Sequence, residues 1–135
     1  MNLSQHIPAL AFNSIPTDGL HQVVLKALKA SRIQTTSELP APILKLNREQ
    51  WETRTLAYGP DSRPVRERLT LTSPFELVSS DASETLLKGT LTIERDRQLD
   101  PRLVLADSEE KQILQSEMRF DAAQQLLYQL AALNW

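Results

Sequence analysis

The sequence predicts an α/β (α+β) fold of the two-layer kind. A mixed four-stranded sheet carries two helices packed on one face, in the order β-α-β-β-β-α. Two observations carry this expectation. The middle of the chain alternates apolar and polar residues with a period of two, as strands do when one face is buried and the other is wet. The last stretch holds an apolar helical stripe: Met118, Ala122, Leu126, Leu130 and Leu133 recur at spacings of three and four, and neither Pro nor Gly interrupts Asp107 to Leu133. A one-sided sheet needs a cover, and a long amphipathic helix needs a surface to lie on.

The run Ile7-Pro8-Ala9-Leu10-Ala11-Phe12 reads as the first strand, with Pro8 placing its start at an edge or at its first residues. Ser14 to Gly19 is a connection in which Thr17 or Asp18 can cap the next helix. Leu20 to Ser31 is an amphipathic helix with Leu20, Val23, Val24, Ala27 and Leu28 on one face. Its C-terminal end carries Lys26, Lys29 and Arg32, where the helix dipole favours cations. Ile33 to Ala41 is an irregular crossover, because Pro40 and Pro42 oppose helix there.

A meander comes next. Its first strand runs from Ile43 to Ala57, and its alternation changes phase near Asn47 to Gln50, which predicts a bulge. Tyr58-Gly59-Pro60-Asp61-Ser62 supplies the turn. Val65 to Ser79 is the second strand, with Val65, Leu69, Leu71, Phe75 and Leu77 on alternate positions. Thr85 to Arg95 is the third, with Leu87, Leu91 and Ile93 pointing one way and Lys88, Thr90, Thr92 and Glu94 the other. The first β-α-β unit is expected to cross over right-handed, so that its two strands are parallel. In the closing helix, Asp107 with Glu110 three residues on gives an aspartate version of the capping box.

At 135 residues, one domain spanning 1–135 is expected, with about 65–70% of the unfolded surface buried. Charged residues make up 24% and hydrophobic ones 41%, as in ordinary globular proteins, and a net charge of −2 argues against a nucleic-acid partner. There is no cysteine, hence no disulfide and no thiolate chemistry. No apolar run reaches the 18 residues that suggest a membrane span.

A catalytic set is not visible. His6 and His21 stand in no metal-ligand spacing, and both read as boundary or surface residues. No nucleophile elbow, P-loop or dinucleotide glycine pattern is present. Glu117 and Asp121 share a helix face, but so do most solvated carboxylates. The expectation is a protein that is not an enzyme and holds no metal or cofactor.

The arginines are more informative. Arg63, Arg66 and Arg68 surround the start of the second meander strand, and Arg95, Arg97 and Arg102 lie at and beyond the end of the third. A meander brings those two places to one sheet end. Guanidinium groups suit phosphate and carboxylate. The plainer reading is a solvated face neutralised by Asp61, Glu67, Glu94, Asp96 and Asp100. Arg119 falls beside the apolar stripe, where its stem can cover the core while its head reaches a carbonyl or solvent.

Several local patterns together resemble one family. They are the strand-helix opening through Leu28 to Ile33, the strand pair Trp51–Tyr58 and Arg66–Leu77, the run Pro101-Arg102-Leu103-Val104-Leu105-Ala106, and Glu117-Met118-Arg119-Phe120-Asp121-Ala122-Ala123-Gln124-Gln125-Leu126. The chain is similar along nearly its whole length to the lipopolysaccharide-assembly lipoproteins of the LptE family, also called rare lipoprotein B. The last of these patterns is the most specific.

The resemblance implies a sheet with two helices on one side, a one-to-one complex with the outer-membrane β-barrel LptD, and a position largely inside its lumen as a plug. It implies a part in barrel assembly and in delivering lipopolysaccharide to the outer leaflet, from the periplasmic side of the cell outer membrane. Lipopolysaccharide is then a second partner, and Arg63, Arg66, Arg68, Arg95 and Arg97 are the candidates to meet its phosphates. The family's mature chain begins at a lipidated Cys with a Gly-aromatic-x-Leu-Arg run after it. Met1-Asn2-Leu3-Ser4-Gln5 stands here instead, so the signal peptide and lipid anchor are expected to belong to the full-length protein and not to this chain. The entrance to the closing helix, Ala106-Asp107-Ser108-Glu109, is acidic where some relatives carry a basic residue, which puts a lipopolysaccharide contact there in doubt. The competing reading is a free-standing periplasmic module for a small anionic ligand, which would need a concave pocket. A hydrolase would need carboxylates converging in a cleft.

Overall fold

A computed structural model describes residues 7–38, 40–133 and 135. His6 and the Met1–Gln5 start lie outside the described residues. The elements are β1 (Ala11–Asn13), α1 (Gly19–Ala30), β2 (Ile43–Leu46), β3 (Gln50–Tyr58), β4 (Pro64–Val78), β5 (Thr85–Gln98) and α2 (Val104–Ala131). The two-layer α+β architecture is the one the alternation predicts, but the sheet has five strands and not four.

The extra strand comes from the phase shift. The stretch read as one strand from Ile43 to Ala57 is β2 and β3, separated at residues 47–49. Both pair antiparallel with β4, β2 along Phe75–Val78 and β3 along Pro64–Thr72. β5 pairs with β4 over nearly its whole length, so β2 and β3 lie end to end along the opposite side. β1 then runs parallel to β2 outside it.

Pro74 gives the break a physical reason. It sits within a central strand, where a residue without an N–H leaves a ladder position empty. Its carbonyl accepts the Asn47 N–H at 2.9 Å. N–H and C=O of one residue point to the same side of an antiparallel strand, so the missing donor faces the gap between β2 and β3. Buried Ser73 donates its Oγ–H to the Asn47 carbonyl at 2.8 Å and closes the gap.

Along β4, Leu69, Leu71, Ser73, Phe75 and Leu77 point into the core, with Leu91 and Ile93 from β5 beside them. The helices supply Leu20, Val24, Leu28, Met118, Ala122, Leu126 and Leu130. Gly89 faces inward opposite Phe75, whose ring would lie 3.2 Å from any added Cβ.

α1 closes in a Schellman motif. Ile33 N–H reaches the Leu28 carbonyl, Arg32 N–H reaches that of Lys29, and Arg32 takes φ 59°. α2 starts earlier than the capping-box reading places it. Its N-cap is Leu103, without a side-chain cap, and Asp107 lies in its first turn. Asp107 instead accepts the Asp100 N–H through Oδ2 at 3.1 Å, tying the loop to the helix. Asp18 likewise stands at the N-cap of α1 without capping it, and its Oδ2 accepts the Glu49 N–H at 2.8 Å. His21 stacks on Phe12 with ring centroids 5.2 Å apart and hydrogen-bonds Ser14 Oγ, so its role is to pack the start of α1 on β1.

The head of Arg119 meets a carboxylate and not a carbonyl, while its side chain keeps 24% of its surface exposed. It binds Glu49 through two hydrogen bonds, Nε at 2.9 Å and Nη2 at 2.8 Å, and its guanidinium lies 5.2 Å from the Trp51 ring. Gly19 makes room, since a Cβ there would fall 2.8 Å from Arg119 Nε. The clamp joins α2, the start of α1 and the segment between β2 and β3. Burial pushes the Glu49 carboxyl up, but the hydrogen bonds and charge of Arg119, together with the neighbouring Trp51 and Leu20, outweigh it and hold the group below its ordinary 4.5.

The packing sets expectations for the core and for the Arg119–Glu49 clamp. Leu126→Ala, at a fully buried site, should cost about 2–5 kcal/mol in chemical denaturation. Arg119→Met and Glu49→Gln should each cost about 2–3 kcal/mol, because either leaves a half-buried polar partner unpaired. The double variant should cost less than their sum by about 1–2 kcal/mol. The lowered Glu49 pKa means that its contribution is present above pH 4.5 and is lost as pH falls through the folded value, so Glu49→Gln should flatten stability against pH in that range.

Candidate interaction surface

Helices cover one face of the sheet, and the other face is open. The register builds it in cross-strand rows. Arg54, Arg68 and Asp96 form one, Glu52, Thr70 and Glu94 the next, and Gln50, Thr72 and Thr92 a third. Beyond the lane break, Lys45, Glu76 and Lys88 form another. The β-strand period puts all of these on one side. Lane width and strand length make this a broad polar surface, with a shallow hollow at the lane break.

The structure brings the two arginine groups to the same sheet end, since Arg66 pairs with Gln98 and Glu67 with Arg97. It does not bring them to the same face. Arg66 and Arg68 point to the open side, where both meet Asp96, Arg66 at 3.7 Å and Arg68 at 2.7 Å. The Arg68 hydrogen bonds hold the Asp96 carboxyl below its ordinary range, and the same bonds raise Arg68. One carboxylate thus serves two guanidinium groups, with Arg54 beside them and Glu52 and Glu94 in the next row.

Arg95 and Arg97 point to the helix side. Arg95 binds Asp121 of α2 at 2.6 Å. Arg97 is nearly buried, with Nε 2.7 Å from the equally buried Glu67 and Nη1 on the Asp107 carbonyl at 2.9 Å. Both fasten α2 to the sheet. Arg63 lies in the β3–β4 turn, exposed, beside Asp61 at 3.3 Å. Arg102 pairs with Asp100 in the loop before α2, and this contact lowers the Asp100 carboxyl.

Strand parity carries the split. Leu91 and Ile93 face the core, so Arg95 and Arg97 face the same way, while Arg66 and Arg68 alternate with Leu69 and Leu71. Arg54 is the residue that sequence reasoning misses, because placing it beside Arg68 requires the β3–β4 register. The helix carboxylates do not converge: Asp121 is taken by Arg95, and Glu109, Glu110 and Glu117 are exposed along α2.

The chain matches the lipopolysaccharide-assembly family LptE over residues 8–130. No curated protein's sequence matches it. Its fold is similar to that of rare lipoprotein B from Shewanella oneidensis, with TM-score 0.82 and 25% identity over 92% of this chain and 94% of that one. A minor lipoprotein from Acinetobacter baumannii superposes with TM-score 0.76 at 24% identity, covering 92% of this chain and 90% of that one. Lipoprotein B from Nitrosomonas europaea gives 0.78 at 18%, covering 93% and 83%. The family match spans both helices and every strand of the sheet, and so this chain belongs to the LptE family of lipopolysaccharide-assembly lipoproteins.

Proposed function

We propose that this domain is the plug and assembly partner of the LptD β-barrel, one copy to one barrel, and takes part in delivering lipopolysaccharide to the outer leaflet of the outer membrane. The observation that supports this most is the open sheet face. A surface as wide as the sheet, built of Thr, Gln, Glu and Arg, suits the polar interior of a large barrel. The proposed place of action is the periplasmic side of the outer membrane and the barrel lumen.

Lipopolysaccharide is the proposed second partner. Of the arginines put forward for its phosphates, Arg66 and Arg68 offer the most direct route, since they stand on the open face and share one carboxylate. Arg63 at the neighbouring turn can join them after leaving Asp61. Arg95 would have to leave Asp121, and Arg97 its buried Glu67, so both would act first by holding α2 in place. A small-ligand module would gather these groups around one cavity, whereas here they are divided between two faces.

Co-expression with LptD from the same source, then detergent extraction and sizing, should give a one-to-one complex. Separate elution of two folded proteins would reject the plug. Arg66→Asp with Arg68→Asp should weaken lipopolysaccharide binding at least about tenfold, from two lost charge-assisted contacts, and leave the fold intact by circular dichroism. Unchanged binding would remove these two from the site.

A further inference from the structure

β5 leaves one long edge unpaired, while the opposite edge is blunted. On the far side of the sheet, β3 carries register shifts between Thr55 and Ala57 and between Ala57 and Tyr58, and bulges of this kind discourage edge pairing. β5 runs Thr85–Gln98 without Pro, and its one register shift lies at its very start, opposite Leu77 and Val78. An edge of this length is a template for another strand.

The direction of its hydrogen-bonding groups is set by the pairing. Pro74 turns its carbonyl toward Asn47, away from β5, so the odd-numbered neighbours in β4 face β5. Their partners in β5 are Gly89, Leu91, Ile93 and Arg95. The Leu99 N–H on the Val65 carbonyl at 2.9 Å continues the same parity. The amides and carbonyls of Lys88, Thr90, Thr92 and Glu94 therefore point outward. Arg95 Nη1 rests on the Glu94 carbonyl at 2.7 Å, leaving that oxygen a second lone pair.

The side chains on that edge are self-complementary. Two copies of β5 laid antiparallel about a two-fold axis at Leu91 set Lys88 opposite Glu94 twice and Thr90 opposite Thr92 twice. Neither Lys88 nor Glu94 makes an ion pair among the described residues, and both are exposed. Shifting the axis to Thr92 would pair Lys88 with Asp96, which already serves Arg66 and Arg68. An axis at Thr90 would leave Lys88 opposite Thr92, with no charge to meet. Of these three registers, the one at Leu91 pairs Lys88 with Glu94, and it is isologous, as a two-fold contact requires.

We propose that the free edge of β5 docks a second copy of this chain, antiparallel about an axis at Leu91, so that two sheets join into one. This goes beyond the barrel reading and does not depend on it. It describes the protein away from LptD.

Sedimentation of the 135-residue chain without LptD tests it. The expected result is a concentration-dependent dimer. Lys88→Glu or Glu94→Lys alone should each weaken it about tenfold, since two opposite-charge pairs become two like-charge pairs. Combining both reversals restores the pairs with exchanged sign and should return affinity to within about threefold of the parent. A chain that stays monomeric at all concentrations overturns the proposal. So does a dimer indifferent to the single reversals, or one that the double reversal fails to recover. As a second measurement, Thr90→Cys with Thr92→Cys in this cysteine-free chain should oxidise to a covalent dimer, because facing residues in a hydrogen-bonded pair sit about 5.5 Å apart, within disulfide reach. A chain that yields no covalent dimer would contradict the register.

Discussion

The Arg119–Glu49 pair joins residues 70 apart in sequence and ties the middle of α2 to the break in the sheet. Glu49 lies between β2 and β3, at the one place where the sheet interrupts a lane. Backbone released from a ladder must find other partners or stay solvated. Here Asp18 takes the Glu49 N–H, Pro74 takes the Asn47 N–H and Ser73 takes the Asn47 carbonyl. Arg119 then reaches down from α2 to the Glu49 carboxylate. The break, the start of α1 and the middle of α2 are held at one point. Glycine at position 19 is part of that point, because a side chain there would meet the guanidinium.

The remaining charges divide by face. On the helix side, Arg95 and Arg97 bind Asp121, Glu67 and the Asp107 carbonyl, and this fixes α2 along β5. A buried pair such as Arg97–Glu67 is weak evidence for net stability, but losing one member strands the other and is costly. On the open side, Arg66 and Arg68 share Asp96 in solvent, where ion pairs contribute little to folding. Charges that stabilise the fold only slightly are the ones free to meet a partner. That division supports the open face as the working surface and the helix face as its frame.

Much of the fold is legible in the sequence. Period two in β4 and β5 and the stripe from Met118 to Leu130 place the strands and the long helix within a few residues. The phase shift near Asn47 is visible, but one sequence cannot separate a bulge from two strands. The decision rests on Pro74, which is distant in the chain and adjacent in the sheet. The start of the long helix is misread because Asp107 looks like a cap, whereas Val104 to Ala106 are helical before it. Periodicity sets Arg119 beside the apolar stripe, yet it says nothing about contacts between elements, so Glu49 as its partner is out of reach. Among the candidate arginines, the shared sheet end is readable from the meander. Their division between faces is readable from parity as well, once Leu91 and Ile93 are taken to set the phase.

On the proposed function, the open sheet face is the main surface that meets the LptD wall. A photo-crosslinking residue placed in cells at Glu52 on the open face, and separately at Gln112 on the outer side of α2, tests this directly. Both positions are exposed and neither makes an ion pair among the described residues. The expected result is an LptD adduct from position 52 in higher yield than from position 112. An adduct from position 112 with none from position 52 would contradict it.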